Sequence, residues 1–195
     1  MRATRHSGEP VRILLGGGIG CGKSLAGRRF AALGAVVVDA DRLGHAVIAP
    51  GGEAHELVGE RWPSVLTDSG IDRPALARIV FGRGDELREL EAMTHPAIAK
   101  RIAAIAGDAV DLVIEIPLIL EVAGDWTTVY VDASADRCIR RAVDRGLDEE
   151  SVRKRMGHQP HRCEWLAWAD RTLENNGTPG ELAERVDALW TKLRD

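Results

Sequence analysis

The sequence predicts an α/β protein with three layers, in which helices cover both faces of a five-stranded parallel sheet. Short apolar, β-branched runs alternate with stretches whose apolar residues recur every three or four positions, as strands alternating with helices do. A glycine-rich segment joins the first predicted strand to the first helix, and carboxylates lie at the ends of two other strands. The five predicted strands cover residues 11–15, 35–39, 112–117, 128–132 and 171–173.

The bulk composition indicates one globular domain. The chain has 195 residues, 45% of them hydrophobic and 29% charged, which is enough for one sizeable core. Its formal net charge of −4 argues against general affinity for nucleic acids or anionic membranes. No stretch approaches the ~20 apolar residues of a membrane helix, so we expect no nucleic-acid and no membrane partner. Residues 1–10 are basic and polar, and they are predicted to form a disordered extension ahead of a single domain at 11–195.

The cysteines indicate a reducing compartment. Cys21, Cys138 and Cys163 are odd in number and include no C-x-x-C pair. This usage suits a cytoplasmic protein better than a disulfide framework. His158 and His161 stand close to Cys163, but the spacing H-x-x-H-x-C matches no common structural zinc pattern. We expect a polar loop there rather than a zinc site.

The glycine-rich segment from Gly17 to Ser24 fits G-x-x-x-x-G-K-[ST], the phosphate-binding P-loop. Its glycines let backbone N–H groups converge on phosphate oxygens, and the following helix N-terminus adds a partial positive charge. The alternative, a glycine-rich turn that binds nothing, is disfavoured because a strand precedes the loop and a helix follows it. We therefore predict a P-loop NTPase fold with an ATP site formed by Gly18, Ile19, Gly20, Cys21, Gly22, Lys23, Ser24 and Leu25.

Three side chains in this loop have individual expectations. Lys23 is placed to reach the β- and γ-phosphates, and the Ser24 hydroxyl can ligate Mg²⁺. Cys21 lies among N–H groups at a helix N-terminus, a position that favours the thiolate form. We expect oxidation or alkylation of Cys21 to block ATP binding.

Carboxylates at the ends of the second and third strands are candidates for the chemistry, because ligands gather at the carboxyl ends of parallel strands. Asp39 and Asp41 are two apart on what reads as extended chain, so they are expected to point the same way. One of them is predicted to meet the phosphoryl acceptor, and an ordinary strand-end or helix-capping carboxylate is the alternative for Asp41. Glu115 resembles the acid that helps hold Mg²⁺ in P-loop enzymes, so Ser24 and Glu115 form the predicted metal site.

Two helical stretches lie between and after these strands. The block from about 52 to 107 is longer than a crossover requires, which predicts an inserted helical subdomain with a helix boundary near Thr94, because Pro96 follows His95. A short helix is expected to begin at Leu118. The polar, arginine-rich stretch from about 148 to 170 is predicted to be a helical lid, since guanidinium groups suit a phosphoryl group and a closing lid excludes water.

The order of these motifs resembles the dephospho-CoA kinase family from Val11 nearly to the C-terminus. Two departures stand out: Gly16 replaces a threonine in the family's loop, and Cys21 replaces a serine. Gly146 stands where the family often has Asp. The matching segments are Gly16 to Ser24, Asp39-Ala40-Asp41, Gly70, Asp72-Arg73, Leu76, Phe81, His95-Pro96, Pro117-Leu118-Ile119-Leu120-Glu121, Arg141, Arg145, Gln159, Ala169-Asp170, Leu173, Asn175 and Gly177.

The resemblance implies transfer of the ATP γ-phosphoryl group to the ribose 3′-hydroxyl of dephospho-coenzyme A, with Mg²⁺ as cofactor. It implies that Asp41 is the base, that Lys23 and Arg141 assist catalysis, and that the insert binds the acceptor. It assigns Arg141, Arg145 and Asn175 to ATP, and Asp41, Arg73, His95, Pro117, Leu118 and Glu121 to the acceptor. A cytoplasmic monomer is expected, with a homo-oligomer as the alternative.

Two other functions remain open at this point. The first is another small P-loop kinase that acts on a nucleoside monophosphate or a small alcohol; His95-Pro96 and the segment from Pro117 to Glu121 speak against it. The second is a nucleotide sensor that binds ATP without transferring phosphate. Asp41 and the lid arginines argue against a sensor, because binding alone requires neither.

Overall fold

The computed structural model describes residues 9–80, 84–107, 110–119 and 122–195. Residues 1–8 of the predicted N-terminal extension lie outside the described residues, as do Phe81, Leu120 and Glu121. The chain forms two compact units. Unit 1 comprises the described residues of 1–39, 106–120 and 124–195, and unit 2 those of 40–105 and 121–123.

The helices and strands follow one another along the chain in the alternating order that the sequence predicts. In order they are β1 (Arg12–Gly16), α1 (Lys23–Ala32), β2 (Val36–Asp39), α2 (Ala40–Ile48), α3 (His55–Arg61), a 3₁₀ turn (Pro63–Val65), β3 (Leu66–Thr67), β4 (Gly70–Ile71), α4 (Arg73–Val80), α5 (Gly84–Gly107), β5 (Leu112–Ile116), β6 (Thr127–Asp132), α6 (Ala135–Val143), α7 (Glu149–Met156), α8 (Arg162–Trp168), β7 (Arg171–Glu174) and α9 (Pro179–Arg194).

Unit 1 is built on a five-stranded sheet with the order β2-β5-β1-β6-β7. All four neighbouring pairs are parallel, which confirms the predicted fold class. On one face, the strand side chains Ile13, Leu15 and Val131 are buried in the same core cluster as Phe30 of α1 and Trp190 of α9. The two rings pack 5.7 Å apart. This core fixes α1, and with it the loop that precedes α1, to the sheet.

Unit 2 contains helices α2 to α5 and a short hairpin. A turn at residues 67–70 joins the antiparallel strands β3 and β4. The Thr67 hydroxyl donates to the Gly70 carbonyl across this turn at 2.7 Å. The hairpin strands themselves were not predicted, because two residues each are too few to show a period. No helix in the described ranges is both long and apolar enough to cross a membrane.

Two predicted helix boundaries are wrong. Helix α5 runs continuously through Pro96, although a boundary was expected near Thr94. Its buried face, with Ile102 fully buried and Ile98 nearly so, outweighs the backbone hydrogen bond that a proline cannot make. The helix expected to begin at Leu118 is also wrong for the described residues, since Leu118 and Ile119 are not helical.

Candidate active site

The P-loop connects β1 to α1 in a conformation that requires glycine. Gly20 and Gly22 have positive φ angles of 75° and 102°. A Cβ at Gly20 would collide with the Cys138 carbonyl, and a Cβ at Gly22 would collide with the side-chain amide of Asn175. The loop is therefore closed against α6 and against the segment that follows β7. A side chain at Gly20 would have to move the Cys138 backbone, and one at Gly22 would be strained by its φ angle and would displace the Asn175 side chain.

Two of the predicted functional side chains, Lys23 and Ser24, end this loop and begin α1. The Lys23 ammonium donates a hydrogen bond to the Gly17 carbonyl at 3.1 Å, so the side chain folds back towards the start of the loop. The Ser24 hydroxyl donates to Glu115 Oε2 at 2.9 Å. The structure thus brings together Ser24 and Glu115, the two residues predicted to hold a metal ion.

Glu115 lies in the middle of this arrangement as a buried acid. It is 9% exposed and pairs in register with Asp39 on the neighbouring strand. Burial raises the pKa of the Glu115 carboxyl, and the Asp39 carboxylate adds to the rise. The Ser24 hydrogen bond and the Lys23 charge act in the opposite direction. Gly27 of α1 faces Glu115 Oε1 so closely that a Cβ there would collide with it. A cation at this place would relieve the cost of the buried charge.

The raised pKa of Glu115 predicts a pH-dependent stability difference between the wild type and Glu115→Gln. Below the ordinary glutamate pKa of 4.5 both folded and unfolded wild-type chains carry a protonated acid, so the shift costs nothing. As the pH rises through the raised pKa, the folded state must ionise a buried group and loses stability. We expect the free energy of unfolding of the wild type to fall relative to Glu115→Gln from pH 4.5 upwards. Urea unfolding without Mg²⁺ or nucleotide measures this, and parallel pH curves would contradict it.

Arg141 and Asn175 reach the other side of the loop. Asn175 is 2% exposed, and its Nδ2 donates to the Cys21 carbonyl at 2.7 Å. Arg141 Nη2 donates to Asn175 Oδ1 at 3.4 Å and to the Gly177 carbonyl at 3.3 Å. The buried Nη1 of Arg141 has no hydrogen-bond partner among the described residues. Arg145 is exposed, and its Nε donates to the Arg141 carbonyl at 3.0 Å.

Sequence reasoning missed two contacts that hold the predicted lid. Arg162 of α8 forms a bidentate ion pair with Asp132, which is 4% exposed at the end of β6. The Ile19 amide of the P-loop donates to Gln159 Oε1 at 2.9 Å. The sequence could have identified Asp132 as a candidate, because this carboxylate ends a strand at the edge of the sheet that carries the P-loop.

The acceptor-side candidates of unit 2 lie on its helices. Asp41 is exposed in the first turn of α2, and Asp39 is the last residue of β2, so the predicted extended spacing of the two carboxylates is wrong. Arg73 begins α4 and contacts the His45 ring. Burial lowers the pKa of the half-buried His95.

A cavity of about 900 Å³ opens beside Arg73 and His45 in unit 2. Most of its other wall residues are apolar, among them Ile48, Ile71, Leu76, Val80, Leu87 and Leu90. Its lining therefore combines the Arg73 guanidinium, the neighbouring Asp72 carboxylate and two hydroxyl side chains with a broad apolar surface. Pro117 and Leu118 belong to unit 1 and are half-buried, and Glu121 lies outside the described residues.

The comparison with known proteins decides the family. A model of the dephospho-CoA kinase family matches residues 11–181. The chain belongs to the dephospho-CoA kinase family. The dephospho-CoA kinase of Thermobifida fusca is 38% identical over 193 residues, which cover 94% of this chain and 96% of that protein. The enzyme of Leifsonia xyli is 37% identical over 194 residues, with 93% and 98% covered.

Solved structures share the fold of this chain. The protein TT1252 from Thermus thermophilus has a TM-score of 0.78 at 28% identity, with 95% of this chain and 98% of that chain covered. A shikimate kinase from Acinetobacter baumannii has a TM-score of 0.55 at 18% identity, with 94% of each chain covered, and shares the fold alone. The chain is therefore a kinase of a family that catalyses the last step of coenzyme A synthesis.

Cys21, one departure from the dephospho-CoA kinase motif, is not the thiolate that we expected. Its side chain is 2% exposed and belongs to the apolar core under the loop, with Val131 and Cys138 in the same cluster. Burial raises the pKa of the Cys21 thiol despite the lowering effect of the Lys23 charge and of backbone N–H groups. The expectation failed because the backbone of Cys21 belongs to the anion-binding loop while its sulfur packs in the core.

Gly16, the other departure, is explained by the two tryptophans of α8. A Cβ at Gly16 would collide with the ring of Trp165 and would lie 2.9 Å from the ring of Trp168. Trp165 is 1% exposed and stacks on Tyr130, with 5.7 Å between ring centroids and 3° between the planes. This member of the dephospho-CoA kinase family therefore replaces the threonine of the motif with ring packing from α8.

We expect Gly16→Ala to destabilise the protein by about 1–3 kcal/mol, because overpacking forces tightly packed rings to move. The matched control is Gly84→Ala, since no atom lies within 4 Å of a Cβ built at Gly84. Urea unfolding followed by tryptophan fluorescence measures both variants. Equal stabilities of the wild type and Gly16→Ala would show that α8 does not pack tightly on β1.

Proposed function

We propose that this chain transfers the γ-phosphoryl group of ATP to the ribose 3′-hydroxyl of dephospho-coenzyme A, giving coenzyme A and ADP. The observation that carries the proposal is a P-loop whose Lys23 and Ser24 begin α1, with Ser24 hydrogen-bonded to Glu115 of β5, in a chain of this family. Phosphoryl transfer needs positioning and charge stabilisation rather than covalent chemistry, and this cluster supplies both.

Residues of unit 1 would hold the nucleotide. Residues Gly18 to Leu25 are proposed to form the ATP site, in which loop amides other than that of Ile19, which donates to Gln159, cradle the phosphates and the Lys23 ammonium meets the β- and γ-phosphates. Asn175 and Arg141 support a nucleotide site on the Cys21 side of the loop. The buried Nη1 of Arg141 is a hydrogen-bond donor that the nucleotide would satisfy there. Arg145 is proposed to join them. A catalytic role for Arg141 would require its guanidinium group to turn from Gly177 towards the phosphates.

Ser24 and Glu115 would hold Mg²⁺. A hydroxyl and a carboxylate are the hard oxygen donors that this ion prefers, and one or two protein ligands suffice because phosphates and water complete its shell. When bound, Mg²⁺ neutralises charge that develops on the phosphates during transfer. The closeness of Asp39 to Glu115 supports the assignment, because paired acids favour a cation.

We propose that residues of unit 2 and of the segment from Pro117 to Glu121 bind the acceptor. We propose Asp41 as the group that positions and deprotonates the 3′-hydroxyl, and the helical stretch from about 52 to 107 as the acceptor-binding part. The cavity beside Arg73 supports an acceptor that combines a pyrophosphate with a long, weakly polar thiol arm. The remaining proposed acceptor residues are His95, Pro117, Leu118 and Glu121. The stretch from about 148 to 170 is proposed to be the lid.

We further propose a monomeric enzyme of the cytoplasm. Cys21, Cys138 and Cys163 are all free thiols, which supports a reducing compartment.

The test incubates purified protein with Mg²⁺, ATP and dephospho-coenzyme A while ADP release and product mass are followed together. Coenzyme A formed in equal amount to ADP is the expected result. ADP without coenzyme A would favour another small P-loop kinase, and a panel of nucleoside monophosphates would identify its acceptor. ATP binding without ADP release would favour a nucleotide sensor.

A further inference from the structure

The Gln159 side chain, in the predicted lid, forms a direct hydrogen bond with the P-loop backbone. It follows α7, and its Oε1 accepts the Ile19 N–H at 2.9 Å. The same oxygen would lie 3.1 Å from a Cβ at Gly18, so the absence of a side chain at Gly18 allows the approach. The half-buried glutamine amide therefore lies on the loop surface that receives phosphates.

The Ile19 side chain joins the same two segments by packing. Ile19 and Met156 both lie against the small buried cluster formed by Ile139, Ala142 and Val152. Met156 ends α7, and its carbonyl accepts the Gln159 N–H at 3.1 Å. One P-loop residue is thus fixed to the lid through its side chain and through its backbone. This double contact restricts where the Gln159 amide can point.

The NH₂ group of Gln159 can donate hydrogen bonds to a ligand. With Oε1 engaged by Ile19, the NH₂ group of Gln159 presents two N–H donors, and phosphate oxygens are strong acceptors. Asn175 contacts the loop at Cys21, on the proposed nucleoside side, whereas Gln159 contacts it at Ile19. Gln159 therefore lies towards the end of the loop where the terminal phosphate of ATP belongs.

We propose that Gln159 binds the γ-phosphoryl group of ATP through its NH₂ group, with the amide oriented by the Ile19 N–H. This inference rests on the proposed use of ATP. It makes Gln159 the group by which the lid distinguishes ATP from ADP, because ADP lacks the acceptor oxygens that the NH₂ group would meet. The contact would also hold the γ-phosphoryl group during transfer.

The test compares the affinities of ADP and of the non-hydrolysable β,γ-imido analogue of ATP, both with Mg²⁺, by calorimetry. Gln159→Ala should weaken the analogue by about tenfold, as expected for a lost hydrogen bond to a charged group, and leave ADP within about twofold. Gln159→Glu keeps an acceptor for Ile19, removes both donors and adds a negative charge, so it should weaken the analogue further. The control is Cys163→Ala, an exposed neutral residue on α8.

Other results would overturn the proposal. Tighter binding of both nucleotides by Gln159→Ala would mean that the glutamine merely occupies the empty loop. Equal weakening of both would mean that it only supports the lid, and no change would remove it from the site. These binding results do not depend on the acceptor, so wild-type protein that binds the analogue but forms no coenzyme A would overturn the proposed function and leave the Gln159 test intact.

Discussion

Asp41→Asn should lower kcat by about 10²–10⁴-fold and leave the affinity for ATP nearly unchanged. Asparagine keeps the size of the side chain and removes the negative oxygen that would hold and accept the proton of the 3′-hydroxyl. The size of the effect reflects a loose transition state, in which the base positions the hydroxyl as much as it deprotonates it. The measurement is steady-state ADP release with dephospho-coenzyme A, combined with calorimetry for ATP.

The helix position of Asp41 provides the contrasting expectation. Asp41 lies in the first turn of α2, where a carboxylate interacts favourably with the helix dipole by about 0.3–1 kcal/mol. If this were its only role, Asp41→Asn would lower stability slightly and keep turnover near normal. Asp68→Asn, at an exposed turn in unit 2, serves as the control for removing one acid.

Lys23→Ala should impair both nucleotide binding and rate. We expect kcat/KM for ATP to fall by about 10²–10³-fold, the range seen when one preorganised charged donor is removed from a transition state. The ATP affinity should fall by about tenfold or more, because hydrogen bonds to charged groups contribute about 1.5–3 kcal/mol. The folded protein loses the hydrogen bond from Lys23 to the Gly17 carbonyl and a favourable charge near the buried Glu115, so we expect a modest loss of stability beside the loss of function.

The control for Lys23 is Lys192→Ala, which removes an exposed ammonium from α9. Calorimetry gives the affinities, and ADP release gives the rates. Normal ATP affinity in Lys23→Ala would place the phosphates somewhere other than on this loop, and would also remove the basis for a γ-phosphate contact by Gln159.

Much of the fold could be predicted because local signals agree with the sheet. Four of the five predicted strands are apolar runs that contain β-branched residues. The last helix begins with a capping box in which Thr178 and Glu181 satisfy each other's backbone N–H groups. The pairing of Ser24 with Glu115 followed from the rule that functional groups collect at the carboxyl ends of strands.

The features that could not be predicted depend on tertiary packing, which no local sequence pattern indicates. Pro96 favours a helix end by its chemistry, yet the buried face of α5 keeps the helix intact. Cys21 sits in an anion-binding loop, yet its sulfur faces the core, so burial determines its pKa. The contact of Gln159 with Ile19 joins residues 140 positions apart and could not be derived from either neighbourhood.

The hydrogen bond from Asn175 to the Cys21 carbonyl has a consequence for biosynthesis. It joins residues 154 positions apart and connects the P-loop to the segment after β7, the last strand of the sheet. A growing chain emerges from the ribosome N-terminus first, so the loop is made early while its partner arrives almost at the end of synthesis. ATP-binding competence should therefore appear late during translation, and a nascent chain that ends before β7 should leave nucleotide untouched.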